Sequence, residues 1–182
     1  MKSIEVNSDY HGKHQRRFQR TIQFIHECQP QHASVLDLGP NNPLSELIRQ
    51  QGHRVENTAS QQDLDLDFHQ VEKEGYEVVT AFEILEHLVS PFPLLKAIRA
   101  PKLILSVPLK LWFAEAYWNP NDPYDCHYHE FEPKQLRMLL EKAGWTILKE
   151  KQYTNPEFAL GIRPILRYFT PRHMFVYCER NA

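Results

Sequence analysis

The stretch VLDLGPNNPLSE, Val35 to Glu46, decides the fold that this sequence predicts. The apolar run SVLDL (Ser34 to Leu38) has the character of a buried strand, and Gly39-Pro40 ends it. A short helix, LSELIRQQG (Leu44 to Gly52), follows at once, with its glycine placed as a C-terminal stop. A buried strand that turns directly into a helix is typical of α/β proteins, in which the helix N-terminus favours anionic groups.

The same alternation of strands and helices continues along the chain. An amphipathic helix, Lys13 to Cys28, precedes the first strand. Further strands are predicted at HRVEN (His53 to Asn57), YEVVTAF (Tyr76 to Phe82) and KLILSVP (Lys102 to Pro108). TILKEKQ and HMFVYCE look like two closing strands. Helices are predicted at Leu85 to Ala100, interrupted at Pro91 and Pro93, and at Glu132 to Trp145. Strands separated by helices imply right-handed βαβ units, a parallel sheet and a ligand crevice at the carboxyl ends of the strands.

The composition is that of an ordinary globular protein. The chain has 182 residues, 42% of them hydrophobic and 24% charged, so we expect a single domain over residues 1–182. The formal net charge of −2 gives no overall attraction to nucleic acid or to an anionic membrane, so such a partner would need a local patch.

Cysteine usage and the longest apolar segment indicate the compartment. Cys28, Cys126 and Cys178 are odd in number and form no CxxC pair, which argues against a disulfide framework and a zinc knuckle. The apolar stretch Leu103 to Trp118 is broken by charged residues, and the N-terminus has no secretory signal. We therefore expect a cytoplasmic protein without a membrane span.

The loop after the first strand has the chemistry of a ligand-binding turn. Asp37 can accept hydrogen bonds at the floor of the crevice, and Gly39 permits a backbone angle that a Cβ would block. Pro40 and Asn41 keep the turn tight without further glycines, because proline presets its φ and asparagine tolerates left-handed geometry. The same residues also make a good turn with no ligand, so the loop alone leaves both interpretations open.

The order of the later motifs suggests a family. DLDLDF (Asp63 to Phe68), YEVVTAFEILEHL (Tyr76 to Leu88), LILSVP (Leu103 to Pro108) and HYHEFEPKQLRMLLEKAGW (His127 to Trp145) follow one another. This series resembles the class I S-adenosylmethionine-dependent methyltransferases, especially the branch related to ubiquinone-biosynthesis O-methyltransferases. With the alternation above, it predicts a three-layer αβα sandwich. Its Rossmann-like sheet is mostly parallel, with about seven strands and an antiparallel C-terminal strand.

The resemblance implies S-adenosylmethionine as cofactor, with contacts at four places. The methionine half would lie on Asp37, Gly39, Pro40 and Asn41, the adenine beside Asp63, Leu64 and Asp65, and the floor would be closed by Ala81, Phe82 and Glu83. The family usually places an acidic residue after the second strand to hold the ribose. This sequence has Thr58 or Ala59 there, so a hydroxyl or a neighbouring aspartate would have to substitute for the carboxylate.

Methyl transfer requires few catalytic residues. The cofactor supplies the reactive sulfonium, and the protein aligns the acceptor and removes a proton if the acceptor is a hydroxyl. Candidate bases are His87, His127 and His129, because histidine changes charge near neutral pH. We assign His129 and His87 as catalytic. The alternative is structural: His87 packs its helix and His129 positions the turn that follows.

A metal-dependent site is a second possibility. Glu83, Glu86 and His87 fall near one face of a helix start, and His129 could approach them across the crevice. The set resembles the ligands of metal-dependent methyltransferases that modify the 3′ ends of small RNAs, and carboxylate with imidazole suits a divalent ion. Because EILEHL also occurs in methyltransferases that bind no metal, the sequence assigns no metal ligand.

Two segments flank the predicted core. The N-terminal helix, about residues 10–28, is expected to cap the cofactor, with Tyr10 or Arg17 near its carboxylate. An aromatic insertion, about residues 109–131, would form a lid whose Trp112, Tyr117, Trp118 and Tyr124 stack on a flat acceptor. An interface between copies of the chain would use the same residues.

We therefore predict an S-adenosylmethionine-dependent methyltransferase that acts on an O or N atom of a small-molecule acceptor. Two alternatives remain: a metal-assisted RNA 2′-O-methyltransferase, and a non-catalytic binding module with a degenerate loop. The expected partner is the small-molecule acceptor rather than a membrane, and nucleic acid is disfavoured without being excluded. The sequence leaves the oligomeric state open.

Overall fold

The computed structural model describes residues 8–29, 31–59, 62–122, 125–154 and 162–181, with the side chains of 8–14, 163 and 164 left out. The helices are α1 (Ser8–Cys28), α2 (Pro43–Gln50), α3 (Pro91–Ala97), α4 (Pro133–Lys142) and α5 (Ile162–Phe169), with a 3₁₀ turn at Leu85–His87. The strands are β1 (Ser34–Asp37), β2 (Arg54–Asn57), β3 (Val78–Phe82), β4 (Lys102–Pro108), β5 (Trp145–Thr154) and β6 (Pro171–Arg180).

The strands form one sheet in the order β2-β1-β3-β4-β6-β5. β1 to β4 pair in parallel, and β6 runs antiparallel to both β4 and β5. The predicted Rossmann-like, mostly parallel sheet is confirmed, but the described residues give six strands instead of seven. Between β2 and β3 the chain folds into turns, where Asp63 and Asp67 accept hydrogen bonds from the backbone N–H groups of Asp65 and His69. Such local bonds compete with strand pairing.

Helices cover both faces of the sheet, as the predicted αβα sandwich requires. α1 and α2 pack on the face that presents Val35, Ile104 and Phe175. α3 and α4 pack on the opposite face, which presents their chain neighbours such as Leu36 and Leu105. Side chains alternate between the two faces along a strand, so a strand buried on both sides reads as a continuous apolar run.

The predicted helix over Leu85 to Ala100 is two elements. A 3₁₀ turn at Leu85–His87 is followed by α3, and Pro91 begins the second helix rather than interrupting the first. Proline fits the first helical position because its missing N–H is not needed there. The preceding N–H groups of Val89 and Ser90 are instead bound by the carboxylate of Asp65, at 2.9 and 2.8 Å.

The three cysteines are free thiols, in agreement with the absence of a predicted disulfide framework. Burial raises the pKa of Cys28 to about 11 and that of Cys178 to about 12. These two thiols therefore stay protonated near neutral pH and are poor nucleophiles or metal ligands.

Helix α5 is an element that the sequence patterns did not predict. It joins β5 to β6 and leaves several apolar side chains at the surface, among them Ile162, Ile165 and Phe169. Its eight residues are too few to span a bilayer. None of the helices in the described part of the chain has both the length and the apolar character of a membrane span.

Candidate functional site

A cavity of about 1040 Å³ lies where β1, β3 and β4 end. α1 forms one wall through Arg17 and Arg20, and the antiparallel direction of β6 brings its first residues, including His173, to the same edge. Small-molecule sites typically occupy about 300–1,000 Å³. The cavity is therefore at the crevice that an α/β sheet predicts, and it is large for a single small ligand.

Asp37 forms the floor of this cavity. Its side chain is 2% exposed and accepts hydrogen bonds from the hydroxyls of Ser45 and Thr80, both at 2.6 Å, and from the Asn57 amide at 3.2 Å. Burial raises the pKa of this carboxyl, while the three hydrogen bonds act in the opposite direction. Asp37 thus accepts donors as predicted, and these donors tie the ends of β1, β2 and β3 to α2.

The loop after β1 is tight without being rich in glycine. Gly39 has φ +99°, and a Cβ there would lie 3.3 Å from the end of the Ile84 side chain. Its N–H donates to the Thr58 hydroxyl at 2.7 Å. Asn42 then caps α2 by accepting hydrogen bonds from the N–H groups of Leu44 and Ser45. Pro40 and Asn42 line the cavity, so this loop forms part of its wall.

The predicted cofactor residues divide into two groups. Asp37, Gly39, Pro40, Phe82 and Glu83 line the cavity. The others do not: Asn41 binds Glu46 and Arg49 at the surface, Ala81 is fully buried in the sheet, and Thr58 lies beneath Gly39. Three of the four methionine-side residues, Asp37, Gly39 and Pro40, thus share one cavity, whereas their contact with a cofactor stays a prediction.

The predicted adenine-side residues lie outside the cavity lining. Leu64 is buried in the core, Asp63 binds its own loop, and Asp65 binds the start of α3. β2 ends at Asn57, one residue before Thr58, whose contact with a ribose stays a prediction. The Asn57 amide donates to Asp37 and Ser45.

Glu83 joins three elements across the cavity. One carboxylate oxygen lies 3.2 Å from Arg17 on α1 and 3.4 Å from His173 on β6, and the other accepts from Ser106 on β4 at 2.7 Å. Burial raises the pKa of Glu83, but His173, Arg17 and Ser106 outweigh it and bring the pKa to about 2. Its φ of +57° is rare for a non-glycine residue, and such strain is often found at functional sites.

Glu86, His87 and His127 meet in the same cavity, on the side of the aromatic insertion. Glu86 is 1% exposed, and burial together with the charge of Glu83 raises its pKa well above the usual range. The His87 ring lies 3.1 Å from the Cys126 carbonyl and 5.0 Å, edge to face, from the His127 ring. Burial and the charge of His87 lower the pKa of His127, which favours a neutral imidazole.

The structure places His129 outside the cavity lining. Its Nε2 lies 3.1 Å from the Val89 carbonyl, and its ring stacks on Phe131. His127, two residues earlier, approaches Glu86 and His87 instead. Of the residues considered for the metal-dependent alternative, Glu86 and His87 therefore lie close to His127, whereas Glu83 contacts Arg17 and His173 instead.

The aromatic insertion contributes less stacking surface than its composition predicts. Tyr117 lines the cavity and donates a hydrogen bond to Asp125. Trp112 and Trp118 are 72% and 66% exposed and lie outside the lining, and Tyr124 falls outside the described residues. The closing of this segment as a lid stays a prediction.

A family model described as a methyltransferase domain matches residues 10–150, more than half of the chain. The chain belongs to this methyltransferase family. No curated protein matches it significantly. The predicted family is thus confirmed, whereas its ubiquinone-related branch stays a prediction.

Solved structures of methyltransferases share the fold at low sequence identity. One, from Mesorhizobium loti, has 13% identity and a TM-score of 0.62, with 89% of this chain and 96% of that chain covered. A second, from Archaeoglobus fulgidus, has 15% identity and a TM-score of 0.62, with 91% and 94% covered. A third is the 1,6-didemethyltoxoflavin-N1-methyltransferase of Burkholderia thailandensis, with bound 1,6-didemethyltoxoflavin and S-adenosylhomocysteine. It has 17% identity and a TM-score of 0.58, with 91% and 78% covered.

Proposed function

We propose that this methyltransferase binds S-adenosylmethionine in the cavity and transfers its methyl group to an oxygen or nitrogen atom of a small-molecule acceptor. The observation that carries the proposal is the arrangement of the cavity. The loop Asp37–Pro40 and the end of β3 line the same cavity as Glu86, His87 and His127, which lie close to one another. A cofactor-binding side and a side with proton-accepting groups therefore face the same space.

The methionine half of the cofactor fits the side formed by Gly39 and Glu83. Its ammonium group would be attracted by the Glu83 carboxylate, which stays ionised because of its low pKa. Its carboxylate would be attracted by Arg17 and by the N-terminus of α2. Each end of a zwitterionic amino acid thus has a partner of opposite charge.

The transfer itself needs little from the protein. The acceptor atom forms a bond to the methyl carbon while the carbon–sulfur bond breaks, and its electron pair stays on the sulfur. If the acceptor is a hydroxyl, its proton must move to a base. We assign this role to His127, with His87 beside it, because the lowered pKa keeps His127 neutral. The assignment of His129 has no such support, since it lies outside the lining.

A small acceptor is favoured by the size of the space and by one structural neighbour. The cavity of about 1040 Å³ is large for one ligand and suits a cofactor together with a small second molecule. The Burkholderia thailandensis enzyme holds 1,6-didemethyltoxoflavin and S-adenosylhomocysteine together. By analogy, the acceptor would lie between the sulfonium and the histidine pair.

Calorimetric titration with S-adenosylhomocysteine tests the proposal. We expect one site per chain, weakened at least about tenfold in Glu83→Gln, because a neutral amide attracts the ammonium group less. Glu150→Gln is the matched control, since that carboxylate pairs with Arg137 on the outside of the protein and should leave affinity unchanged. No binding at millimolar ligand would overturn the proposal and favour the non-catalytic binding module.

A further inference from the structure

We propose that Glu86, His87 and His127 form a binding site for a divalent first-row metal ion such as Zn²⁺. Each residue offers one ligand atom, and the three atoms lie within 4.8 Å of one another. One carboxylate and two imidazoles are a ligand set that suits zinc and its neighbours in the first row. The set differs from the one considered on the sequence, because His127 replaces His129 and Glu83 takes no part.

Unsatisfied buried atoms support this site independently of the ligand types. The Oε2 atom of Glu86 and the Nδ1 atom of His127 are buried and have no hydrogen-bond partner among the described residues, and the Glu130 carboxylate lies 3.7 Å from that Nδ1 atom, beyond hydrogen-bond distance. Glu86 is 1% exposed and lines the cavity. A buried polar group without a partner costs about 1–3 kcal/mol, and a buried charge costs more. A bound cation would remove this cost for both residues at once.

The surrounding backbone holds the ligands in place. The Nδ1 atom of His87 faces the Cys126 carbonyl at 3.1 Å, so Nδ1 carries the proton and Nε2 is left for a metal. Metal-binding histidines commonly make this bond through their second nitrogen. The Glu86 carbonyl accepts hydrogen bonds from the N–H groups of Tyr128 and His129, at 2.8 and 3.2 Å. These bonds fix the loop that carries His127 beside Glu86.

The size of the cluster fits an ion after a small contraction. Ligand atoms at about 2.1 Å from a tetrahedral ion lie roughly 3.4 Å apart, so the widest pair would have to close by about 1.4 Å. A side-chain torsion can supply this movement because the three residues line a cavity and not a close-packed core. Three protein ligands would leave a fourth position on the open side, as in catalytic zinc sites.

The ion would also explain how an acceptor is activated, and only this step rests on the proposed function. A hydroxyl bound to the open position has a lowered pKa, so it releases its proton to water and becomes a better nucleophile. The two imidazoles then act as ligands, and His127 is not needed as a free base. Metal binding itself requires neither the cofactor nor the acceptor.

Titration of the chelator-treated full chain with Zn²⁺, and with Co²⁺ as a spectroscopic probe, tests the site. We expect one tight equivalent, with visible Co²⁺ absorption typical of mixed nitrogen and oxygen ligands. Glu86→Gln and His127→Ala should each weaken Zn²⁺ binding at least about a hundredfold, because each removes a ligand. His129→Ala is the matched control, since that ring binds Val89 outside the cluster.

Three results would overturn the site: no stoichiometric binding at micromolar Zn²⁺, unchanged binding in Glu86→Gln, or an equal loss in His129→Ala. A thermal melt with and without Zn²⁺ checks the folding of each variant, since an ion that binds the native state raises its melting temperature. If His127→Ala does not fold, Glu86→Gln decides alone because it preserves shape. S-adenosylhomocysteine titration without metal tests the proposed function separately.

Discussion

Asp37 is a residue on which folding and the cavity depend through the same hydrogen bonds. Its carboxylate accepts from Ser45, Asn57 and Thr80, so a change there alters the loop as well as the cavity floor. A variant at this position that fails to bind a cofactor therefore needs a measurement of stability beside it. The effect of Asp37 on binding cannot be separated from its effect on the fold by activity alone.

We predict that Asp37→Asn lowers the free energy of unfolding by about 2–3 kcal/mol. The Asn side chain can still accept from Thr80, but its NH₂ group faces the Ser45 hydroxyl and the Asn57 amide, so both hydrogen bonds to the second carboxylate oxygen are lost. Urea unfolding measures the loss. Asp67→Asn is the control, since this exposed side chain keeps the oxygen that binds the His69 N–H, and it should stay near wild type. Equal losses in both variants would contradict the prediction.

The acid dependence of stability should reveal Glu83. Its pKa is about 2 in the folded protein against a usual 4.5, so the folded state binds fewer protons between these values. Its contribution is therefore complete above about pH 5 and is lost as the pH falls toward 2. Urea midpoints of wild type and Glu83→Gln should converge between pH 6 and pH 3. A constant difference would show that Glu83 is not held ionised by Arg17 and His173.

The sequence predicted the floor of the site better than its walls. Asp37 and Gly39 follow a strong strand pattern, and that pattern sets their place at the end of β1. His127 and His129 stand two residues apart in a segment without helical or strand periodicity, so the sequence does not indicate which of the two side chains points into the cavity. The hydrogen bonds from the N–H groups of Tyr128 and His129 to the Glu86 carbonyl determine this, and they join residues about forty positions apart.

At the scale of elements, one carboxylate from another part of the chain fixes the segment that leads into a helix. The Ser90 side chain makes no capping bond to α3, and Asp65 accepts hydrogen bonds from the N–H groups of Val89 and Ser90, just before that helix. The predicted adenine neighbour thus has a structural use that the local sequence does not reveal.

We expect Asp65→Ala to cost about 1–2 kcal/mol of stability, because two hydrogen bonds to a carboxylate are lost. Asp65→Asn should cost less, because its amide oxygen can still accept one of the two hydrogen bonds. Urea unfolding of both variants gives the comparison. If Asp65→Ala were as stable as wild type and bound S-adenosylhomocysteine more weakly, the adenine assignment would be supported and the structural role of Asp65 would not.

The type of an element was predicted correctly where a long hydrophobic run marks it. It was misjudged where hydrogen bonds from nearby side chains determine the local structure. The strands β1, β3 and β4 are continuous apolar runs, which is why the parallel core was predictable. The turns around Asp63 and Asp67 and the helix start at Pro91 depend on side-chain and ring geometry. These features are specific to a few atoms, so hydrophobic periodicity does not detect them.

At the scale of the whole molecule, α1 unites the cavity wall with the core. Arg17 binds Glu83 at the cavity, while Phe24 on another turn is fully buried and packs on the Phe175 ring at 5.6 Å. One helix therefore contributes both to stability and to the shape of the site. A change in the packing of α1 should therefore also shift Arg17 and alter the shape of the cavity.

We predict that Phe24→Ala lowers the free energy of unfolding by about 3–5 kcal/mol with an unchanged denaturant slope, the usual cost of emptying a core position. Ile22→Ala is the control on the same helix. Its side chain is only partly buried, so its loss should be clearly smaller. Equal losses would mean that α1 is not anchored through Phe24.

The short strand β2 is outermost in the sheet, since the described residues provide no further strand beside it. An outer strand has unpaired backbone N–H and C=O groups, so a strand of another molecule can pair with it, and such pairing leads to aggregation. Here the exposed side chains of β2 are charged, and Arg49 donates to the Val55 carbonyl, which blocks part of the free border. Arg49 thereby leaves fewer backbone groups of β2 open to pairing with a strand of another molecule.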